Sequence, residues 1–174
     1  METWVTRQTV YEGPIFSVVM GQARLDNEQV VRRDVVEHHG GVAVVPILGS
    51  EVVLIRQFRV AINKELLELP AGRLEGEEEP VYRAQRELEE EIGFRAGRWV
   101  LATAYYSSAG FTTERMYIYL AYDLVETAVS PEFDERIQPV RIPIADIPYM
   151  LSNHEIEDAK TLIGLRELLA AVGS

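Results

Sequence analysis

Between Pro80 and Gly93 the chain reads PVYRAQRELEEEIG, and this stretch limits the possible folds more than any other. Proline suits the first turn of a helix and glycine its C-terminal exit, so a helix is expected from about Glu79 to Ile92. At about 100° of rotation per residue, Val81, Ala84, Leu88 and Ile92 gather into one apolar stripe. Such a stripe must be buried against another layer, and a sheet can supply it. Glu87, Glu90 and Glu91 gather on an adjacent face, while Glu89 points elsewhere, towards solvent.

That carboxylate triplet needs a reason. Like charges one turn apart cost a few tenths of a kcal/mol each. The glutamates also lie toward the helix C-terminus, the wrong end for the macrodipole. A solvated acidic face is the ordinary explanation of a glutamate run. The other is a shared cation, because a triplet of hard oxygen ligands suits Mg²⁺ or Mn²⁺ and the ion cancels the repulsion. Arg86, beside the cluster, can form a surface ion pair with a nearby glutamate or orient one carboxylate by a bidentate contact.

The rest of the chain supplies the layer. The runs WVTRQTVYE, FSVVMGQARL and QVVRRDVVEHH near the N-terminus read as strands, with DNEQ as a hairpin turn. GVAVVPIL, EVVLIRQFR, LLELPAG, GRWVLATAYYS, RMYIYLAYDLV and IQPVRIPI follow, rich in the Val, Ile and Tyr that strands prefer. Two further helices are expected, a short one over about Ile144–Leu151 and a longer one over about Ile156–Ala171. The latter carries Leu162, Leu165, Leu168 and Leu169 at helical spacing. Many strands with few helices, in no strict alternation, give an α+β fold with a mixed sheet and helices packed on it. The 174 residues suffice for one domain, and no low-complexity linker or repeat divides them.

Composition narrows the function. The formal net charge is −11, which argues against unspecific binding to nucleic acid or an anionic membrane. It leaves phosphate-bearing small molecules open, because a divalent cation inverts the local field. There is no cysteine, so disulfides, thiolate catalysis and thiolate metal sites are excluded. No apolar run is long enough to span a bilayer, and no signal-peptide pattern is visible; a cytoplasmic protein is expected.

The fixed positions around the helix form a longer pattern. Gly72 is followed after five residues by Glu78, and after seven more by Arg86-Glu87-Leu88. One residue on come Glu90-Glu91, then one more and Gly93-Phe94. This resembles the box of the Nudix hydrolase superfamily. Outside the box, LIRQFRVAINKELLELPAG, YYSSAGFTTERMYIYLA and VVRRDVVEHHGGVAVV look like the ADP-ribose pyrophosphatase branch. The resemblance implies a Nudix fold, a mixed sheet between helices in an α/β/α sandwich. About residues 39–174 would form its core, and about residues 1–38 an N-terminal β-strand extension used in a homodimer.

The implied activity is metal-dependent hydrolysis of the pyrophosphate bond of a nucleoside diphosphate derivative, ADP-ribose first, giving AMP and ribose 5-phosphate. Glu87, Glu90 and Glu91, with the backbone carbonyl of Ala71, are implied as ligands of Mg²⁺ or Mn²⁺, with more than one ion per site. Glu90 and Arg86 belong to the implied catalytic set, Arg86 orienting the carboxylates, while Gly72 shapes the loop and Glu78 supports the loop–helix geometry. The implied base lies in SPEFDERIQPV, where Glu135 aligns best and Glu132 and Asp134 are alternatives. Arg59 matches a position that binds substrate phosphate, Glu114 an acidic position near the substrate, and Arg33, with Arg32, a contact to the partner subunit's site. Trp4, Tyr11 and Phe16 are aromatic candidates for stacking on adenine or for core packing. The chain departs from the branch at Ala109, where proline is usual. This keeps another nucleotide sugar, such as GDP-mannose, as an alternative substrate; a non-catalytic nucleotide-sensing module is the alternative role.

Overall fold

The strand Gly41–Leu48 (β4) carries GVAVVPIL, and its first six residues are buried. A strand apolar on both faces must lie inside a sheet covered on both sides, and β4 does. In this computed structural model, which describes residues 1–127 and 136–173, the chain forms two compact units. One comprises Met1–Gly40 with Tyr105–Arg115, the other Gly41–Ala104 with Met116 onward.

In the first unit, the strands Thr3–Glu12 (β1), Phe16–Arg24 (β2) and Val30–His38 (β3) form an antiparallel sheet in that order. The expected hairpin turn joins β2 to β3: Leu25 N–H donates to Gln29 O at 2.9 Å, and Glu28 adopts φ 64°. Gly21 is needed for close approach, since a Cβ there would stand 2.1 Å from Thr6 O. The segment around Phe111 attaches to β3 through Val36 N–H to Phe111 O (2.8 Å) and Thr113 N–H to Val36 O (3.0 Å).

The second unit holds β4 together with Glu51–Arg59 (β5), Lys64–Glu68 (β6), Ala71–Arg73 (β7), Gln138–Pro143 (β10) and all but the adjoining ends of Phe94–Tyr106 (β8) and Arg115–Glu126 (β9). The sheet order is β10-β5-β4-β9-β8, with β6 paired to β5 and β7 to β4. β4 and β9 run parallel, whereas β5 is antiparallel to β4, β6 and β10, so the sheet is mixed.

The helix Pro80–Ile92 (α1) sits on one sheet face. Its Ala84, Leu88 and Ile92 pack in a cluster with Val42, Val44, Val53 and Ile55. Successive residues of a strand point to opposite faces, so Ala43 and Val45 turn to the other side. There the helix Ala159–Val172 (α3) covers them: a Cβ on its Gly164 would touch Leu69, Val45 and Ile118. Helices on both faces of a mixed sheet give the expected α/β/α arrangement.

The expected helix boundaries shift by a few residues. The expected short helix splits into a 3-10 turn, Ile144–Asp146, and a helix, Ile147–Ser152 (α2), with Pro148 in its first turn. α3 begins later than the expected Ile156, because Asp158 caps it and accepts from Thr161 N–H at 2.9 Å. None of the described helices is long and apolar enough to cross a membrane.

Candidate active site

α1 is closed at its C-terminus by Gly93, whose left-handed backbone (φ 71°) lets its N–H reach Glu89 O at 3.0 Å. Along the helix the glutamates separate by burial. Glu87 and Glu91 are each 3% exposed, while Glu89 and Glu90 are both half-buried, Glu89 turned towards Arg95. Glu89 meets Arg95 through both carboxylate oxygens at 3.0 and 2.5 Å, and this pairing holds its carboxyl below the usual range.

The two buried carboxylates face the short strand β7. Glu91 Oε2 accepts from Ala71 N–H at 2.9 Å. Glu87 lies so close to Gly72 that a Cβ on that glycine would fall 1.7 Å from Glu87 Oε1. Only glycine leaves room for the carboxylate there, so the loop glycine and the helix glutamate form one packing unit. Glu78 braces the same loop from the other end: it accepts from Glu75 N–H at 2.9 Å and pairs with Arg86 at 2.8 Å.

Arg86 thus meets Glu78, at the other end of the loop. Arg83, one turn before Glu87, is ion-paired with this member of the triplet. Arg83 also stands 3.4 Å from Glu75. Burial lowers the pKa of this guanidinium, but Glu87, Glu75 and Glu90 outweigh burial and raise it.

Arg59, on β5, is held by Glu68 in a bidentate fork of 2.7 and 2.8 Å. Glu68 is 1% exposed and also pairs with Lys160 on α3. Burial pushes the Glu68 carboxyl up, yet its bonds to Arg59 and the charge of Lys160 prevail and hold it below the usual value. At Arg59 the bond to Glu68 raises the pKa despite burial, and Asp158 and Glu91 add to it. Of the Arg59 donors, Glu68 takes Nε and Nη2 and leaves Nη1.

The remaining candidates belong to the N-terminal unit. Arg33 is paired with Glu2 at 2.8 Å, and Arg32 with Asp34 at 3.0 Å. Glu114 lies 3.8 Å from His38 Nδ1. Ala109 is exposed in a turn where Phe111 and Thr112 N–H both reach Ser108 O at 3.1 Å. Of the aromatics, Tyr11 and Phe16 pack with tilted rings, centroids 5.5 Å apart, and both remain exposed, as does Trp4. Glu132, Asp134 and Glu135 lie outside the described residues.

Sequence reasoning missed Arg83, Glu68 and Lys160. Arg83 had a local signal, its spacing of four from Glu87 on the same helix face. Glu68 and Lys160 are 92 residues apart, and no local pattern joins them.

The family profile of the NUDIX domain matches residues 37–164. The chain belongs to the Nudix family. It is 31% identical over 170 residues to an ADP-ribose pyrophosphatase of Bacillus subtilis, covering 96% of this chain and 92% of the relative. A GDP-mannose pyrophosphatase of Cronobacter sakazakii is 33% identical over 157 residues, covering 83% and 82%. Among solved structures, an ADP compounds hydrolase superposes with a TM-score of 0.84 at 26% identity, covering 99% of this chain and 96% of that one.

Nudix hydrolases are in general dependent on divalent metal, and the residues here can be tested for that ion. Among the described residues, no three His, Asp or Glu side chains are gathered as a ready cation cage. Glu87 is engaged by Arg83, and Glu91 by Ala71. The donors nevertheless fit in kind. Two buried carboxylates one turn apart, with half-buried Glu90 beside them, are hard oxygen ligands of the type Mg²⁺ and Mn²⁺ take. The Gly72 cradle fixes one of them against the backbone of the loop.

Proposed function

We propose that this Nudix protein is a metal-dependent pyrophosphohydrolase that converts ADP-ribose and water to AMP and ribose 5-phosphate. The observation that carries the reading is the buried Glu87–Glu91 pair held against Ala71–Gly72. Two carboxylates one turn apart, set against the backbone of a loop, are hard oxygen donors of the kind a divalent cation takes. Glu87, Glu90 and Glu91, with the Ala71 carbonyl, would hold Mg²⁺ or Mn²⁺, more than one ion per site. The cations would shield the diphosphate and activate the attacking water.

The chain's own residues do the rest. Arg59, oriented by Glu68, offers its remaining donor edge to a substrate phosphate, for which the arginine fork is suited. A carboxylate of the segment 132–135, Glu135 first and Glu132 or Asp134 otherwise, takes the proton of the attacking water. The water oxygen bonds to one phosphorus, the bond from that phosphorus to the bridging oxygen breaks, and the bridging oxygen leaves on the other phosphate. Arg86 acts through Glu78 by bracing the loop that carries Ala71 and Gly72. Glu114 and Arg33 are assigned to substrate contacts, Arg33 from the partner subunit. The N-terminal strands form a homodimer: β1 is exposed along its whole length and carries Trp4, Val5, Val10 and Tyr11, an apolar surface that a second copy would cover.

GDP-mannose is the second substrate reading, favoured by the Cronobacter sakazakii relative and by Ala109. A panel of nucleoside diphosphate derivatives with Mg²⁺ and with Mn²⁺, products identified, tests the choice. AMP and ribose 5-phosphate are expected as the dominant fast products. Slow turnover of ADP-ribose beside fast turnover of GDP-mannose would overturn the first reading.

A further inference from the structure

Arg83 is unlike the other cations near α1. Its side chain is only 12% exposed and its ion pair with Glu87 is buried, whereas Arg86 and Arg95 reach outward to their partners. Gly72 closes one side of the Glu87 carboxylate, because backbone there is in near contact with Oε1. Arg83 occupies another. A guanidinium and a divalent cation on the same carboxylate repel each other, and inside a protein that repulsion is weakly screened. The two are therefore alternatives.

Two further features mark the Arg83–Glu87 contact as one that can be exchanged. Arg83 Nε is buried with no hydrogen-bond partner among the described residues, so the guanidinium is incompletely satisfied where it lies. A second acceptor is already at hand. Glu75 stands 3.4 Å from Arg83 Nη1, and its side chain is 63% exposed, so it can follow the arginine outward.

We propose that Arg83 is a built-in counter-ion that neutralises Glu87 when no divalent cation is bound and sets the metal affinity of the site, leaving for Glu75 as a cation is taken up. The proposal rests on the reading of Glu87 as a metal ligand. It explains how the chain folds with the Glu87 carboxylate buried before any ion arrives. It also assigns a function to a residue that lies outside the fixed positions of the box.

The test is direct Mn²⁺ binding by isothermal titration calorimetry, without nucleotide, on the wild type, Arg83→Met and Glu87→Gln. Methionine keeps an unbranched stem and removes the charge; Arg83→Gln serves if that variant does not fold. Removal of the competing charge is expected to tighten Mn²⁺ binding about tenfold. The metal-free variant should melt lower than the wild type, and added Mn²⁺ should raise its melting temperature by more. Glu87→Gln should bind poorly. Unchanged or weaker binding by the arginine variant, with Glu87→Gln still impaired, overturns the counter-ion role and leaves the metal site standing. Wild-type binding by Glu87→Gln removes the premise and overturns both.

Discussion

Glu87, Glu89, Glu90 and Glu91 share one helix, yet their surroundings give them different work. Glu87 and Glu91 are buried against the β7 loop, Glu89 and Glu90 are half-buried, and Glu89 is held by Arg95. The consequence is a contrast between neighbours. Glu90→Gln should lower kcat with Mg²⁺ by a factor on the order of 10² or more, because it removes an interaction at the reacting phosphate, while the melting temperature barely changes. Glu89→Gln gives up only a solvent-screened ion pair with Arg95 and should keep full turnover. Steady-state kinetics of both variants decide this; equal activity of the two would remove Glu90 from the site. The separation of these glutamates was legible in the sequence, since it follows from helical rotation alone. That Glu89 would find Arg95 was not, because the chain turns back through Gly93 before Arg95 can reach it.

At the level of elements, β5, β6 and α3 are joined by one buried charge. Glu68 at the end of β6 binds Arg59 on β5 and Lys160 on α3, and Lys160 in turn meets the cap residue Asp158 at 3.0 Å. The same corner includes Thr161, whose hydroxyl accepts from Leu69 N–H at 2.8 Å and donates to Asp158 at 2.6 Å. The Glu68 carboxyl is held below its ordinary value in the folded chain, so its ionised form favours folding. By linkage this stability is fully present above the ordinary glutamate pKa, about 4.3, and is lost as pH falls through the lower folded value. Glu68→Gln should cost about 3 kcal/mol at neutral pH, as the loss of one partner from a buried pair does. The variant should also show a flatter decline of stability over the acid range. Urea unfolding at several pH values measures both effects, and parallel curves for variant and wild type would refute the linkage. LLELPAG announces a strand and a loop but says nothing of this corner, since the partners lie far along the chain.

At the scale of the whole molecule, the apolar positions of β1 are left uncovered along the strand. A homodimer through the N-terminal strands is expected in solution. Replacement of Val5 and Val10 by Lys should shift the species seen by analytical ultracentrifugation from dimer to monomer. An unaltered dimer in that variant would move the interface elsewhere. The alternating pattern of the N-terminal segments indicates strands; it does not show that they form a sheet of their own, in the order β1-β2-β3.

The sequence by itself determined the periodic elements and the spacing of the box. Strand alternation, helix rotation, and the Pro80 and Gly93 signals depend on neighbours a few residues away, and local geometry suffices to read them. It also determined which glutamates share a face. Only the tertiary structure decided which charges meet. Arg86 turned to Glu78, Arg83 to Glu87, and Arg59 to Glu68 with Lys160 beside it. An ion pair is chosen by distance in space and by the burial of its members, and those are fixed only when the helices have been laid on the sheet.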